Sequence, residues 1–458
     1  MRNPKALVIP FRFREGYPDD IVDQHVALAK GIIADSNIDF EVSGNVVYKA
    51  DAEKVVAEYN PNNYDFVILL IPTWIEPVLI MQAAKAYGTK PIIVWGFGTF
   101  THEGERVFLG SMAGSGVSKG TLREMGIKHE YLYVNPDDDR TIQFIKTKLK
   151  DFAIVARAIS LLDQARIVSV GYLFGGMSVG DIDITRMRSH FGPELVEIDT
   201  YTLIEQMKNV DKNGLEFLQN KQLIEKLIKV SIGEKVNRIT EMYTVLHQFI
   251  KENNAQALTV KCNFELSQQF GLTACVPLSV LGNEIVAGCE ADIPLLLTQL
   301  ILHYLSGGEI STYGDIHEIS VDRVLVAACG YAPAGLCIGG KIICDMPAPN
   351  PKGLGATFKD YITNKNHLKP GRVTLARVLK DSDGGFSIHY TLGNALGDIG
   401  KVSELDTPQY PFTEIELQGN VDQFAQNMGS HHYALVYADI SRQLESFCKY
   451  KDINLIKD

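Results

Sequence analysis

Two carboxylates and an imidazole are the side chains of this sequence best placed to do chemistry. Three clusters carry them: Cys289-Glu290-Ala291-Asp292, Tyr313-Gly314-Asp315-Ile316-His317-Glu318 and Gly429-Ser430-His431-His432. Each is expected at the end of a secondary-structure element, where α/β folds hold their ligands. Oxygen-rich donors with one nitrogen suit a hard divalent ion such as Mn²⁺ that keeps positions open for substrate. Glu290 follows the strand-like run Ile285–Gly288 and precedes a helical pattern, so its carboxylate also faces a helix N-terminus. Simple capping of that helix by Glu290 or Asp292 is the plainer alternative. Asp315 comes 25 residues after Glu290, a separation that lets the chain return beside its starting point. Adjacent strand residues point to opposite faces, so only one of His431 and His432 is expected to join a site, the alternative being a surface pair.

The elements that must position these residues follow from patterning. At roughly 150 residues per domain, 458 residues make about three domains. Short β-branched runs alternate with helical patterns through the first third: strands at Ala6–Phe11, Phe66–Ile71 and Pro91–Trp95, helices at Asp19–Asp35 and Pro77–Tyr87. Gly110–Gly116 reads as a surface loop. A long helix over Thr141–Ala165 leads into a second unit with strands at Arg166–Val170, Glu194–Ile198 and Ala257–Lys261, and an apolar helix at Ala291–Tyr304. Beyond it, Arg323–Ala328, Lys341–Cys344, Arg372–Leu379, Phe386–Tyr390 and Thr413–Leu417 are short strands between Pro, Gly and Asp clusters. The expected fold is therefore α/β: two successive Rossmann-like, doubly wound domains, 1–162 and 163–305, followed by a β-rich, barrel-like domain, 306–458, with the site between the second and third.

Composition narrows the function. A net charge of −11 with no Lys/Arg block argues against nucleic acid as a partner. Seven cysteines, none in the first half and none in a CxxC pair, suit reduced thiols and a cytoplasmic location. No signal peptide is expected after Met1, and Phe66–Pro72 and Ile293–Leu302 fall far short of the roughly 20 residues that span a bilayer.

The clusters, taken with Lys261-Cys262, Val286-Ala287-Gly288, Ala328-Cys329-Gly330 and Tyr437-Ala438-Asp439, resemble the L-fucose isomerase and L-arabinose isomerase family over roughly the C-terminal 200 residues. Ala291 and Ala438 stand where many relatives have glycine. The resemblance implies a divalent ion, Mn²⁺ with Mg²⁺ or Co²⁺ as alternatives, held by Glu290, Asp315 and His432. It implies aldose–ketose isomerisation of a monosaccharide through an enediolate, with Glu290 and Asp315 moving the proton, and a homo-oligomer, trimeric or hexameric. The chemistry fits the residue types, because shifting a proton between C1 and C2 needs polarised oxygens and an acid/base pair.

Several residues are secondary candidates for holding substrate: Lys261, His431, and the tryptophans Trp74 and Trp95, expected at strand ends where a sugar can stack, or else packed at an edge. Cys262, Cys289 and Cys329 read as packing residues. Gly171, Gly175 and Gly176 after a strand, with Asp199 ending the next, suggest a dinucleotide turn, but their spacing is not GxGxxG. Asp181 and Asp183 read as loop or cap residues. The rivals to an isomerase are thus a sugar-binding or sensing protein and an NAD-linked oxidoreductase.

Overall fold

The computed structural model describes residues 1–229, 232–262, 265–328, 330–345, 362–397 and 411–458. Cys329 lies outside the described residues. The chain divides into two compact units, Met1–Ser160 and Leu161–Asp458.

The first unit is built on five parallel strands, β1 Lys5–Pro10, β2 Asp39–Val42, β3 Phe66–Ile71, β4 Ile92–Phe97 and β5 His129–Val134, in the order β2-β1-β3-β4-β5. Strands β1, β3 and β4 are nearly continuous apolar runs because they are buried on both faces. The segment expected as a loop, Gly110–Gly116, instead opens the helix Ser111–Glu124. Its glycine serves close packing there: a Cβ on Gly114 would lie 2.7 Å from the Thr73 carbonyl oxygen and 3.1 Å from Trp74 Cα.

The second unit holds two large sheets among its described residues. Four parallel strands, β6 Arg166–Val170, β7 Glu194–Ile198, β8 Ala257–Val260 and β9 Val286–Cys289, lie in the order β9-β8-β6-β7. Six antiparallel strands follow: β10 Ser311–Ile319, β11 Arg323–Ala327, β12 Gly371–Lys380, β13 Phe386–Ala395, β14 Phe412–Leu417 and β15 His432–Val436. Their order is β12-β15-β10-β11-β14-β13, and β13 pairs back onto β12, closing a barrel. A last strand, β16 Asn454–Lys457, adds in parallel to β13. The strand expected at Lys341–Cys344 is reduced to Cys344–Asp345, paired with Thr363–Asn364. Conversely, the cluster Tyr313–Glu318 is not an element end, because it forms the interior of β10.

Between the parallel sheet and the barrel runs the connecting helix Ile293–Leu305. All of its residues except His303 are buried, so it is apolar around its whole circumference. It packs on β8 and β9 and on barrel strands β10, β12 and β15. Gln299 Nε2 donates to the Ala287 carbonyl at 2.9 Å, and Thr298 Oγ1 accepts from Val378 N–H at 2.9 Å, stitching the helix to both layers. Six cysteines among the described residues are buried free thiols. Among the described residues, no helix is long and apolar enough to cross a membrane.

Candidate metal centre

Strand β9 ends at Cys289, and Glu290 and Ala291 then turn the chain with φ of 69° and 55°, the left-handed region. Each such non-glycine residue costs about 1–2 kcal/mol, so the turn holds strain. Two hydrogen bonds fix it, Glu290 N–H to the Val260 carbonyl at 3.1 Å and Ala291 N–H to Thr259 Oγ1 at 3.2 Å. Ala291 therefore stands at a position whose backbone favours glycine. Asp292 follows as N-cap of the connecting helix, its Oδ1 accepting from Leu295 N–H at 2.9 Å. The capping role expected of Glu290 or Asp292 thus belongs to Asp292.

The other two residues come from the barrel. Asp315 on β10 and His432 on β15 are direct cross-strand partners. His432 Nε2 lies 3.0 Å from Asp315 Oδ1 and 3.6 Å from Glu290 Oε2. His432 Nε2 and Asp315 Oδ1 are buried and, among the described residues, make no hydrogen bond of good geometry. Octahedral neighbours around an ion with bonds of about 2.1 Å lie about 3 Å apart, so His432 Nε2 and Asp315 Oδ1 stand at the separation of two ligands of one divalent ion, with Glu290 Oε2 somewhat further from the imidazole.

Burial disfavours a charged His432, but Asp292 and Asp315 outweigh it and push its pKa up to about 10. His432 Nδ1 lies 2.8 Å from Asp292 Oδ2, which also accepts from Arg377 Nη1 at 2.8 Å. Burial likewise opposes the Asp292 carboxylate, yet the Arg377 and His432 charges hold its pKa below the usual range.

His431 was expected to point away from its neighbour, but β15 begins only at His432, so strand alternation does not reach it. Its ring centre lies 4.0 Å from that of His432, and one ligand atom from each of Asp315, His431 and His432 falls within 4.8 Å of the others. Burial and the neighbouring His432 charge lower the pKa of His431. His317 adds a further imidazole, its Nε2 3.7 Å from Asp315 Oδ2.

Lys261, one residue beyond β8, is buried, with its Nζ 3.9 Å from the centre of the Tyr172 ring. Trp74 and Trp95 belong to the first unit. Trp74 is half-buried, beside Gly110 and Gly114. Trp95 corrects the sequence expectation: it lies inside β4 rather than at its end, has no exposed surface and stacks on Phe97, so it is a packing residue. The glycines after β6 lead into short 3₁₀ turns, Phe174–Gly176 and Ser178–Gly180, rather than a long helix whose N-terminus could take a pyrophosphate. Asp183 caps the helix Ile184–His190. Arg377 escaped the sequence reading. Its signal was a single arginine inside the apolar run Val373–Val378, a position that demands a buried partner.

No family model matches the chain. Over more than four-fifths of its length it aligns with curated sugar isomerases, and it is an enzyme of that class, an intramolecular oxidoreductase. The relatives are named sulfoquinovose isomerase. One from Alkalicoccus urumqiensis is 24% identical over 404 residues, covering 86% of each chain. Another, from Priestia aryabhattai, is 25% identical over 400 residues, covering 84% of this chain and 83% of its own.

Proposed function

We propose that this protein is a divalent-metal-dependent aldose–ketose isomerase acting on a monosaccharide, with Glu290, Asp315 and His432 as ligands of the ion. The observation that carries the reading is the convergence of these three side chains, with Nε2 of His432 within 3.6 Å of a carboxylate oxygen of each acid. Mn²⁺ suits this donor set, with Mg²⁺ or Co²⁺ as alternatives. Such an ion would supply positive charge at O1 and O2 of the open-chain sugar.

The chain's own groups then do the rest. One of the two carboxylates takes the proton from C2 of the aldose while O1 gains a proton, giving an enediol. The same pair removes the proton from O2 and delivers one to C1, giving the ketose with no net change in atoms. Asp292, occupied by Arg377, His432 and the helix cap, holds His432 in place and moves no proton. Lys261 and His431 are assigned to the substrate. Because the relatives are named for a sulfonated hexose, such a sugar is the first substrate to test.

The reading includes three domains, 1–162, 163–305 and 306–458, the first two Rossmann-like. It places the enzyme in the cytoplasm as a homo-oligomer, and the resemblance to L-fucose and L-arabinose isomerases supports it. The test is NMR of a panel of aldoses, sulfoquinovose included, in D₂O with Mn²⁺. Ketose carrying one solvent deuteron at C1 is expected for one of them. Turnover that persists undiminished after complete chelation of divalent ions would overturn the reading.

A further inference from the structure

We propose that Arg377 is a positioning residue, which sets the orientation of His432 through Asp292 and ties the glycine-rich loop after β6 to the same point. The inference rests on the metal reading given above. Arg377 projects from barrel strand β12 and has no exposed surface. One arm of its guanidinium, Nη1, holds Asp292 Oδ2 at 2.8 Å, and the other, Nη2, donates to the Val179 carbonyl at 2.8 Å. The same Oδ2 receives His432 Nδ1, also at 2.8 Å.

With Nδ1 committed to Asp292, the ring can offer only Nε2 to an ion, and Nε2 is the atom facing Glu290 and Asp315. Asp292 in turn cannot rotate, because its other oxygen caps the connecting helix. The loop closes over this carboxylate: a Cβ on Gly180 would lie 3.3 Å from Asp292 Cγ. A second tie from the same strand, Lys380 Nζ to the Ser178 carbonyl at 2.7 Å, holds the loop beside the first. The planar fork of arginine is what lets one side chain reach a carboxylate and a carbonyl in different elements. The single ammonium of lysine has no such span.

The test is Mn²⁺ binding to the full chain, followed by the electron paramagnetic resonance signal of the free ion, with kcat measured at saturating metal. Arg377→Met is expected to raise the Kd for Mn²⁺ about 10- to 100-fold, the usual effect of losing a residue that orients a ligand. At saturating Mn²⁺ its kcat should return to within several-fold of wild type. Arg377→Lys should bind as weakly as Arg377→Met, and it carries the test if the methionine variant does not fold. Combining Arg377→Met with Asp292→Asn should add little to the larger single loss, since one residue acts through the other. A folded Arg377 variant that binds Mn²⁺ within about twofold of wild type, or losses that multiply in the double variant, would overturn the proposal. A wild-type chain that binds no Mn²⁺ would overturn the metal reading and this inference together, an outcome distinct from intact binding by the variants.

Discussion

Asp315 and His432 sit opposite one another on neighbouring antiparallel strands, so hydrogen-bonded backbone fixes their separation rather than the choice of side-chain rotamer. Glu290 reaches them from another sheet, through a turn of two left-handed residues. The three side chains therefore depend on different kinds of support, and substitutions should separate them.

Glu290→Gln keeps an oxygen for the ion but cannot accept a proton. Its kcat should fall by about 10²- to 10⁴-fold at saturating Mn²⁺, with a smaller change in KM. His432→Ala should instead weaken Mn²⁺ binding and regain much of its rate in excess metal. Steady-state kinetics across a Mn²⁺ titration checks both, and the opposite pattern would exchange the roles of base and ligand.

Ala291 tests the strained turn. With φ at 55°, Ala291→Gly should be neutral or stabilising by up to about 1 kcal/mol, because relief of strain offsets the greater freedom of glycine in the unfolded chain. A β-branched side chain is far less tolerant of this conformation, so Ala291→Val should destabilise by about 2 kcal/mol. Urea unfolding of the pair gives both numbers.

Gly314 precedes Asp315 in β10 at a point where the wall of the barrel leaves no room. A Cβ there would lie 2.4 Å from Val326 Cγ1 on β11. Gly314→Ala should cost about 1–3 kcal/mol by overpacking and weaken metal binding by displacing its neighbour. A variant with wild-type melting temperature and wild-type Mn²⁺ affinity would contradict this account.

The pH dependence of stability has a sign that can be worked out from His25. It is buried edge-on against Phe97 and Phe100, with Nδ1 3.0 Å from the Ile21 carbonyl, and burial lowers its pKa below the ordinary 6.5. The unfolded chain binds the proton more readily, so this contribution is complete above about pH 6.5 and is lost as the pH falls towards the folded value. His389, with its pKa lowered by burial against the opposing effect of Asp458, acts in the same direction. The melting temperature should fall between pH 6.5 and 5, and His25→Leu should flatten that slope.

Assembly is open to direct measurement. A trimer or hexamer is expected by light scattering, with interfaces above roughly 2,000 Å² that survive dilution. A fully active monomer would remove the oligomer from the proposed function.

Much of this architecture was legible because burial on both faces leaves unbroken apolar runs. Phe66–Ile71 is such a run; Arg166–Val170, exposed only at its first residue, and the partly exposed Glu194–Ile198 also occupy the strands their patterns suggest, as does the helix Pro77–Tyr87. Strand β10 was hidden because Ser-Thr-Tyr-Gly-Asp-Ile-His-Glu-Ile is polar and broken by glycine, and it is extended because both flanking strands of a closed ring pair with it. The nearness of Glu290, Asp315 and His432 was suggested by motif order. Arg377 was not, since its partners lie 85 and 198 residues away and no local pattern encodes them.

Apart from His303, the helix Ile293–Leu305 has no residue left for water. A fragment ending at residue 305 would carry it stripped of the barrel, and a fragment starting at residue 293 would carry it stripped of the parallel sheet. Either piece would expose a leucine-rich flank that invites aggregation. Sheet and barrel are thus expected to melt together as one cooperative block, so that loosening a barrel strand is felt at Glu290 as a loss of order rather than as a local adjustment.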